Sequence, residues 1–286
     1  MNIQINRRNF LKSAGLCAAV SCTWNSTPKM EAALTKTPSD PFFGLKVGVA
    51  SYSLRKFPLE KALEMTSQMG VKYITLKEMH LPYTSTLEQL KSAQEKVKKA
   101  GLVLMGGGVI YTNNQEKDIR ALFQYAKDAG MSTMVACPEP ASLDIVEKLA
   151  KEFDIRVAIH NHGPGDKKYP SPIDVLNMVK DRGAHMGICM DLGHTVRLGQ
   201  DPLPVMEQCA RRLYDFHIKD VTKAEKDGAN IEAGMGVIDL VAVLRFLKKI
   251  KFNDHVALEY EIKADNPFTG MVESFAYMRG VLAALV

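Results

Sequence analysis

A chain of 286 residues with 46% apolar side chains can bury one large core and still carry an extension. Its formal charge of +5 is concentrated at the start: residues 1–31 hold four basic groups and one acid, and the remainder, at +2, lacks the basic footprint that a nucleic-acid partner needs. Five cysteines without CxxC spacing exclude a disulfide scaffold, so Cys137, Cys189 and Cys209 read as buried thiols.

The extension comes first. Asn6-Arg7-Arg8-Asn9-Phe10-Leu11-Lys12 has the paired arginines, Phe-Leu and lysine of a twin-arginine export signal. The weakly apolar stretch that follows, to Cys22, is too short to span a bilayer, so no membrane span is expected. Residues 1–30 are read as the signal, 31–43 as a linker and 44–286 as the folded domain. Ala19-Val20-Ser21-Cys22 weakly resembles a lipoprotein cleavage site. The expected location is therefore the periplasm, free or as a lipoprotein anchored at Cys22.

Eight apolar, strand-like runs follow, beginning near Val47, Tyr73, Leu102, Thr133, Arg156, Met186, Leu213 and Val256. Most starts are about 23–31 residues apart, the length of one strand–helix unit. Between them lie amphipathic helices. Thr86 caps one that carries Leu87, Leu90, Ala93, Val97 and Ala100 and stops at Gly101. Ile119, Leu122, Phe123 and Ala126 form a second stripe, ended by Gly130, and Ser171-Pro172 opens a third helix that Gly183 closes. Eight alternations predict an α/β fold, a (β/α)8 TIM barrel, rather than an open sheet. The one long gap, Val221 to Gly236, lacks periodicity and follows a strand, so it is a candidate substrate-covering loop.

In such a barrel the C-terminal strand ends surround one point. Asp191 ends the sixth run, His217 the seventh and Glu259 the eighth, while His160 and His162 end the fifth, two residues apart and on one side. These oxygen and nitrogen donors suit one divalent ion, Mn²⁺, Co²⁺, Mg²⁺ or Zn²⁺. His160 is placed among the ligands, with His162 or another group as the alternative fourth; Glu259, His160 and His162 are candidate proton-transfer groups. Lys219, two residues after His217, is placed to bind a substrate oxygen or stabilise an enolate; its alternative is a pair with Asp220. His194 can hold substrate or orient a ligand. Lys77 and His80, after the second run, and Glu261, after the eighth, are further substrate contacts to test. Gly106 to Gly108, expected at the third strand's end, permit close backbone approach without forming a phosphate loop. Glu139, between two prolines, reads as part of a turn.

The D-x-x-H of Asp191–His194, the H-x-K-D of His217–Asp220, the G-x-G-x-I-D of Gly234–Asp239 and the final E-Y-E of Glu259–Glu261 together resemble the xylose isomerase-like TIM-barrel superfamily over roughly residues 45–280. That group includes ketose 3-epimerases, sugar-phosphate isomerases, inosose dehydratases and endonuclease IV. The resemblance implies metal ligands at Asp191, His217 and Glu259, and substrate contacts at His194 and Lys219. The chain departs from the ketose epimerases at the fifth strand, where they place a metal-binding, proton-exchanging glutamate and this chain has His160-Asn161-His162. Imidazole titrates near neutral pH, so a histidine keeps proton abstraction beside a carbonyl available and makes elimination as accessible as epimerisation.

The expected function is metal-assisted proton transfer on an unphosphorylated sugar, an isomerase or epimerase working through an enediolate. The alternatives are a lyase or dehydratase acting on a keto-sugar or keto-glycoside at the same site, and a non-catalytic sugar-binding barrel. A metal-dependent endonuclease is disfavoured by the near-neutral charge after residue 31. Phe268, Met271, Phe275 and Met278 can pack on the barrel or on a partner in a homo-oligomer.

Overall fold

The computed structural model describes residues 40–285. The expected signal, Cys22 and most of the expected linker lie outside the described residues. Eight parallel strands close a barrel: β1 (Lys46–Ala50), β2 (Tyr73–Leu76), β3 (Val103–Tyr111), β4 (Thr133–Cys137), β5 (Arg156–His160), β6 (Met186–Asp191), β7 (Leu213–Ile218) and β10 (His255–Leu258), with β10 between β7 and β1. Each begins within one residue of its predicted start, because buried parallel strands are short apolar runs cut off by polar or glycine residues. β4 and β6 are buried along their whole length.

The helices wrap the outside. They are α1 (Leu59–Gln68), α2 (Leu87–Lys99), α3 (Glu116–Asp128), α4 (Leu143–Phe153), α5 (Pro172–Val179), α6 (Leu192–Val196), α7 (Pro202–Cys209), α8 (Leu240–Lys249) and α9 (Phe268–Ala284). The predicted caps are present as reciprocal pairs, Thr86 with Gln89 on α2 and Ser171 with Asp174 on α5; each satisfies two backbone donors left over by the first turn. Met271, Phe275 and Met278 are buried against the barrel, and Phe268 is partly buried on the same core. Phe42, inside the stretch expected to be linker, packs edge-on against Phe275 at 6.4 Å between ring centroids. Cys137, Cys189 and Cys209 are free and buried. Among the described residues, no helix is long and apolar enough to cross a membrane.

Two segments differ from expectation. Gly106, Gly107 and Gly108 lie within β3, not at its end, and the strand runs on to Tyr111. The register to β4 slips across them because a Cβ at Gly106 or Gly108 would sit 2.2 or 2.1 Å from a β4 carbonyl oxygen. The gap from Val221 to Gly236 is not featureless either. Its ends are tied by a small antiparallel pair, β8 (Asp220–Val221) and β9 (Asn230–Ile231). The Asp220 carboxylate accepts from the backbone N–H of Val221, Gly234, Gly236 and Ile238. A carboxylate with four backbone donors is a staple, so Asp220 is engaged with this loop and not with Lys219.

Candidate metal centre and cleft

Alternation along parallel strands sends every second side chain into the barrel, and four strand ends meet there. Asp191 and His217 face each other in the β6–β7 register. The backbone N–H of Glu259 donates to the carbonyl of Ile218, so the eighth barrel strand ends at the same level. His160 Nε2 lies 3.2 Å from His217 Nδ1 and 3.6 Å from Asp191 Oδ2, and His217 Nδ1 lies 3.3 Å from Glu259 Oε2. All four residues are buried, and their ligand atoms lie within 4.8 Å of one another. Bonds of about 2.0–2.2 Å would set tetrahedral donor atoms roughly 3.3–3.6 Å apart, so this spacing fits a divalent ion. Asp191 Oδ2 is buried and faces His160 Nε2 and the Lys219 ammonium, a carboxylate oxygen whose neighbours are a ring nitrogen and a cation. Two imidazoles and two carboxylates are also a donor set that such ions take.

The aspartate is held rigidly. Its Oδ1 accepts from the backbone N–H of His194 and so caps α6, and its own N–H donates to Asn161 Oδ1 at 2.8 Å. Asn161, between the two histidines of the fifth strand end, is fully buried and is a positioning residue that the sequence reading did not single out.

Lys219 lies among the carboxylates. Its ammonium is 2.9 Å from Asp191 Oδ2, 2.8 Å from Glu259 Oε2 and 2.8 Å from Glu261 Oε2. The lysine stem runs over α6, where a Cβ at Gly193 would come within 2.8 Å of it. Burial alone would neutralise these groups. For Glu259 it pushes the carboxyl up, but the Lys219 and His217 charges outweigh it and hold the group well below the usual range. Asp191 is held low in the same way, against burial, by His194 and Lys219. Against three carboxylates stand the Lys219 ammonium and the protonated His217, so the cluster keeps one uncompensated negative charge near neutrality; a divalent cation that displaced the His217 proton would meet two. Lys219 does not line the cleft, which differs from its expected role as a direct substrate contact.

Beneath the cluster lies a second polar layer. Asp215 is 3.6 Å from His217 Nε2 and 3.8 Å from His255 Nδ1. Burial pushes the Asp215 carboxyl up to about 7 and the His255 imidazole down to about 3. His217 is pushed down by burial but more strongly up by Glu259 and Asp215, to about 9. Burial also lowers His162 to about 4 and His194 to about 3.

These shifts set an acid limit. Three histidines that are neutral when folded must gain protons on unfolding below pH 6.5, so each removes stability as pH falls; Asp215, raised, offsets about one of them. His217 contributes stability that is complete below pH 6.5 and is lost as pH rises through about 9. In chelator-treated protein, urea melts should therefore give a maximum near neutrality and a loss of roughly 2–4 kcal/mol between pH 7 and 5. Stability that is flat over that range would contradict the burial of these imidazoles.

Above the cluster is a cavity of about 160 Å³ lined by Tyr52, Lys77, Val109, Tyr111, His160, His162, His194, Glu259 and Glu261. His162 Nε2 is 3.2 Å from the Tyr111 hydroxyl, and its Nδ1 is 3.6 Å from Asp166 Oδ2. His194 Nδ1 accepts from Arg197 at 2.7 Å. Lys77 Nζ donates to the Val109 carbonyl and pairs with Glu78. Glu261 accepts from Asn230 Nδ2 at 2.9 Å, which ties the β8–β9 loop to the cleft wall.

His80 is a correction, because it is buried outside the cleft. The chain turns back after β2, and the ring sits between Ser51 Oγ at 2.9 Å and the Phe57 carbonyl at 3.1 Å. His80→Ala should lower stability by about 1–3 kcal/mol with kcat nearly unchanged; a large loss of kcat in a stable variant would return it to the site. Glu139 pairs with Lys168. Sequence reasoning missed Tyr52 and Tyr111 as cleft residues.

The profile of the xylose isomerase-like TIM barrel family matches residues 58–281. Inosose dehydratase of Bacillus thuringiensis (strain Al Hakam) is 24% identical over 263 residues, covering 83% of this chain and 85% of its own length. The solved structure of an uncharacterised protein from Parabacteroides distasonis ATCC 8503 is 26% identical with a TM-score of 0.66, covering 83% of this chain and 99% of that one. A protein described as IOLI, solved with a bound zinc atom, has a TM-score of 0.69 at 19% identity, over 85% of this chain and 99% of its own.

Proposed function

The chain belongs to the xylose isomerase-like TIM barrel family, and from that premise we propose that it is an enzyme that moves a proton beside the carbonyl of an unphosphorylated sugar, as an isomerase or epimerase dependent on one divalent ion. The observation that carries this reading is the convergence of two ring nitrogens and two carboxylate oxygens at the floor of a polar-walled cleft. His160, Asp191, His217 and Glu259 would hold the ion, which supplies a Lewis acid that polarises a carbonyl and its neighbouring hydroxyl and acidifies the C–H between them.

The chain's own groups do the rest. Glu259, kept ionised by Lys219, lines the cleft and accepts the carbon-bound proton. His162, kept neutral by burial, lines the cleft after β5, three strands around the barrel from β10 and Glu259, and takes or returns a proton there. A proton removed at one wall and returned at the other inverts a carbon; one returned to the adjacent carbon isomerises the sugar. His194, Glu261 and Lys77 meet the substrate hydroxyls from the walls.

Elimination is the second reading, favoured by the histidines at the fifth strand end and by the likeness to inosose dehydratase. A neighbouring oxygen then leaves as the C–H bond breaks, and water is lost. Export by the twin-arginine route, proposed from residues 6–12, favours unphosphorylated substrates under either reading.

The test is deuterium exchange. The full chain, loaded with Mn²⁺, Co²⁺ or Zn²⁺, is incubated with inososes and keto-hexoses in D₂O and followed by NMR. Deuterium beside the carbonyl, absent with Glu259→Gln, supports proton transfer, and loss of water separates dehydration from epimerisation. A loaded protein that exchanges none of them would count against the reading.

A further inference from the structure

The cleft is small. Its roughly 160 Å³ lies below the range of about 300–1,000 Å³ that encloses larger ligands, so it holds one ring and leaves anything attached to that ring at the mouth. Tyr111 stands there. It is 57% exposed, against 41–50% for the other large apolar side chains at the described surface, none of which lines the cleft.

Its position is built. β3 runs past its three glycines to deliver the residue, the hydroxyl is fixed 3.2 Å from His162 Nε2, and the Lys77 ammonium lies 5.5 Å from the ring centroid. Tyr52, the second tyrosine of the cleft, is half-buried beneath the Arg55 guanidinium, 4.7 Å over its ring, whereas Tyr111 keeps most of its surface open beside Lys77 and the His162 ring. Tyr111 therefore offers the broad aromatic surface left open at the mouth. Such a surface gains most from covering by another ring, whether the C–H face of a sugar or an aryl group.

We propose that Tyr111 is a specificity platform, and that the substrate is a glycoside carrying a ring ketone, whose reacting ring enters the cleft while its second ring or aglycone stacks on Tyr111. The proposal rests on the sugar reading above and narrows its substrate from free sugars to glycosides. Tyr111 carries no step of the proton transfer. Its hydroxyl places the ring, and the ring selects what leaves the cleft.

Binding tests this independently of turnover. Calorimetry on the full chain would compare glucose with phenyl glucosides of both anomers, for the wild type, Tyr111→Ala and Tyr111→Phe. The expected result is that one phenyl glucoside binds the wild type about ten-fold or more tighter than glucose. Tyr111→Ala should lose most of that preference, read as the ratio of the two affinities within each variant, and Tyr111→Phe should keep most of it, because the aromatic face remains. Equal binding of glucose and both glucosides by the wild type, or a preference that survives Tyr111→Ala, would overturn the proposal. Failure of the catalytic reading would appear separately, as a protein that binds the glucoside but exchanges no deuterium into keto-sugars.

Discussion

Replacing Asp191 with alanine is expected to lower turnover by about 10³-fold or more while leaving a folded barrel. Asp191 supplies one of only two anionic ligand atoms, and its Oδ2, which pairs with the Lys219 ammonium, faces the other ligands of the cluster. Its other oxygen caps the short helix α6, and losing that cap costs about 1 kcal/mol, a local effect. Removing a buried charge also relieves its desolvation, and Lys219 keeps Glu259 and Glu261 as partners. Melting temperature and turnover should therefore separate. Asp191→Asn keeps an oxygen for the cap and loses the charge, so it should melt close to wild type and remain as inactive as the alanine variant. Turnover within ten-fold of wild type in either variant would remove Asp191 from the centre.

Lys219→Met carries the largest expected cost in stability. The ammonium is the counter-charge for three carboxylates, and two of these, on Asp191 and Glu259, are almost wholly removed from water. Breaking a buried charge cluster by deleting one sign typically costs about 3–5 kcal/mol, because the remaining charges stay desolvated without a partner. A divalent cation replaces the missing charge, so saturating Mn²⁺ or Zn²⁺ should raise the melting temperature of Lys219→Met further than that of the wild type. Chemical denaturation with chelator and with metal, on both proteins, gives the four values needed. A variant as stable as wild type in chelator, or equal stabilisation of both proteins by metal, would show that the lysine does not carry this charge.

Much of this was legible in the sequence, for a physical reason. A buried parallel strand is a short apolar run, and a charged residue at its end has no packing role, so Asp191, His217, Glu259 and His160 stand out without coordinates. What was hidden depended on partners distant in the chain. Asn230 meets Glu261 across 31 residues, and Lys219 meets Glu259 across 40. Nothing local marks Lys219 as bound to three carboxylates rather than to Asp220. Tyr111 was concealed by the glycines before it, which read as a strand end and proved to be a bulge inside β3. Asp215 had a usable signal, since Asp215, His217 and Lys219 alternate on one side of a strand and must enter the barrel together. His80 misled for the opposite reason: it follows a strand end closely, but the turn carries its ring to Ser51 and Phe57.

The most direct measurement is the metal content of the full chain after equilibrium dialysis against Mn²⁺, Co²⁺ and Zn²⁺, beside His160→Ala and His217→Ala variants. The cluster predicts about one tightly held ion per wild-type chain and its loss in both variants. A wild type that holds no ion, or variants that hold it as well as wild type, would contradict the four-residue centre on which the proposed chemistry depends.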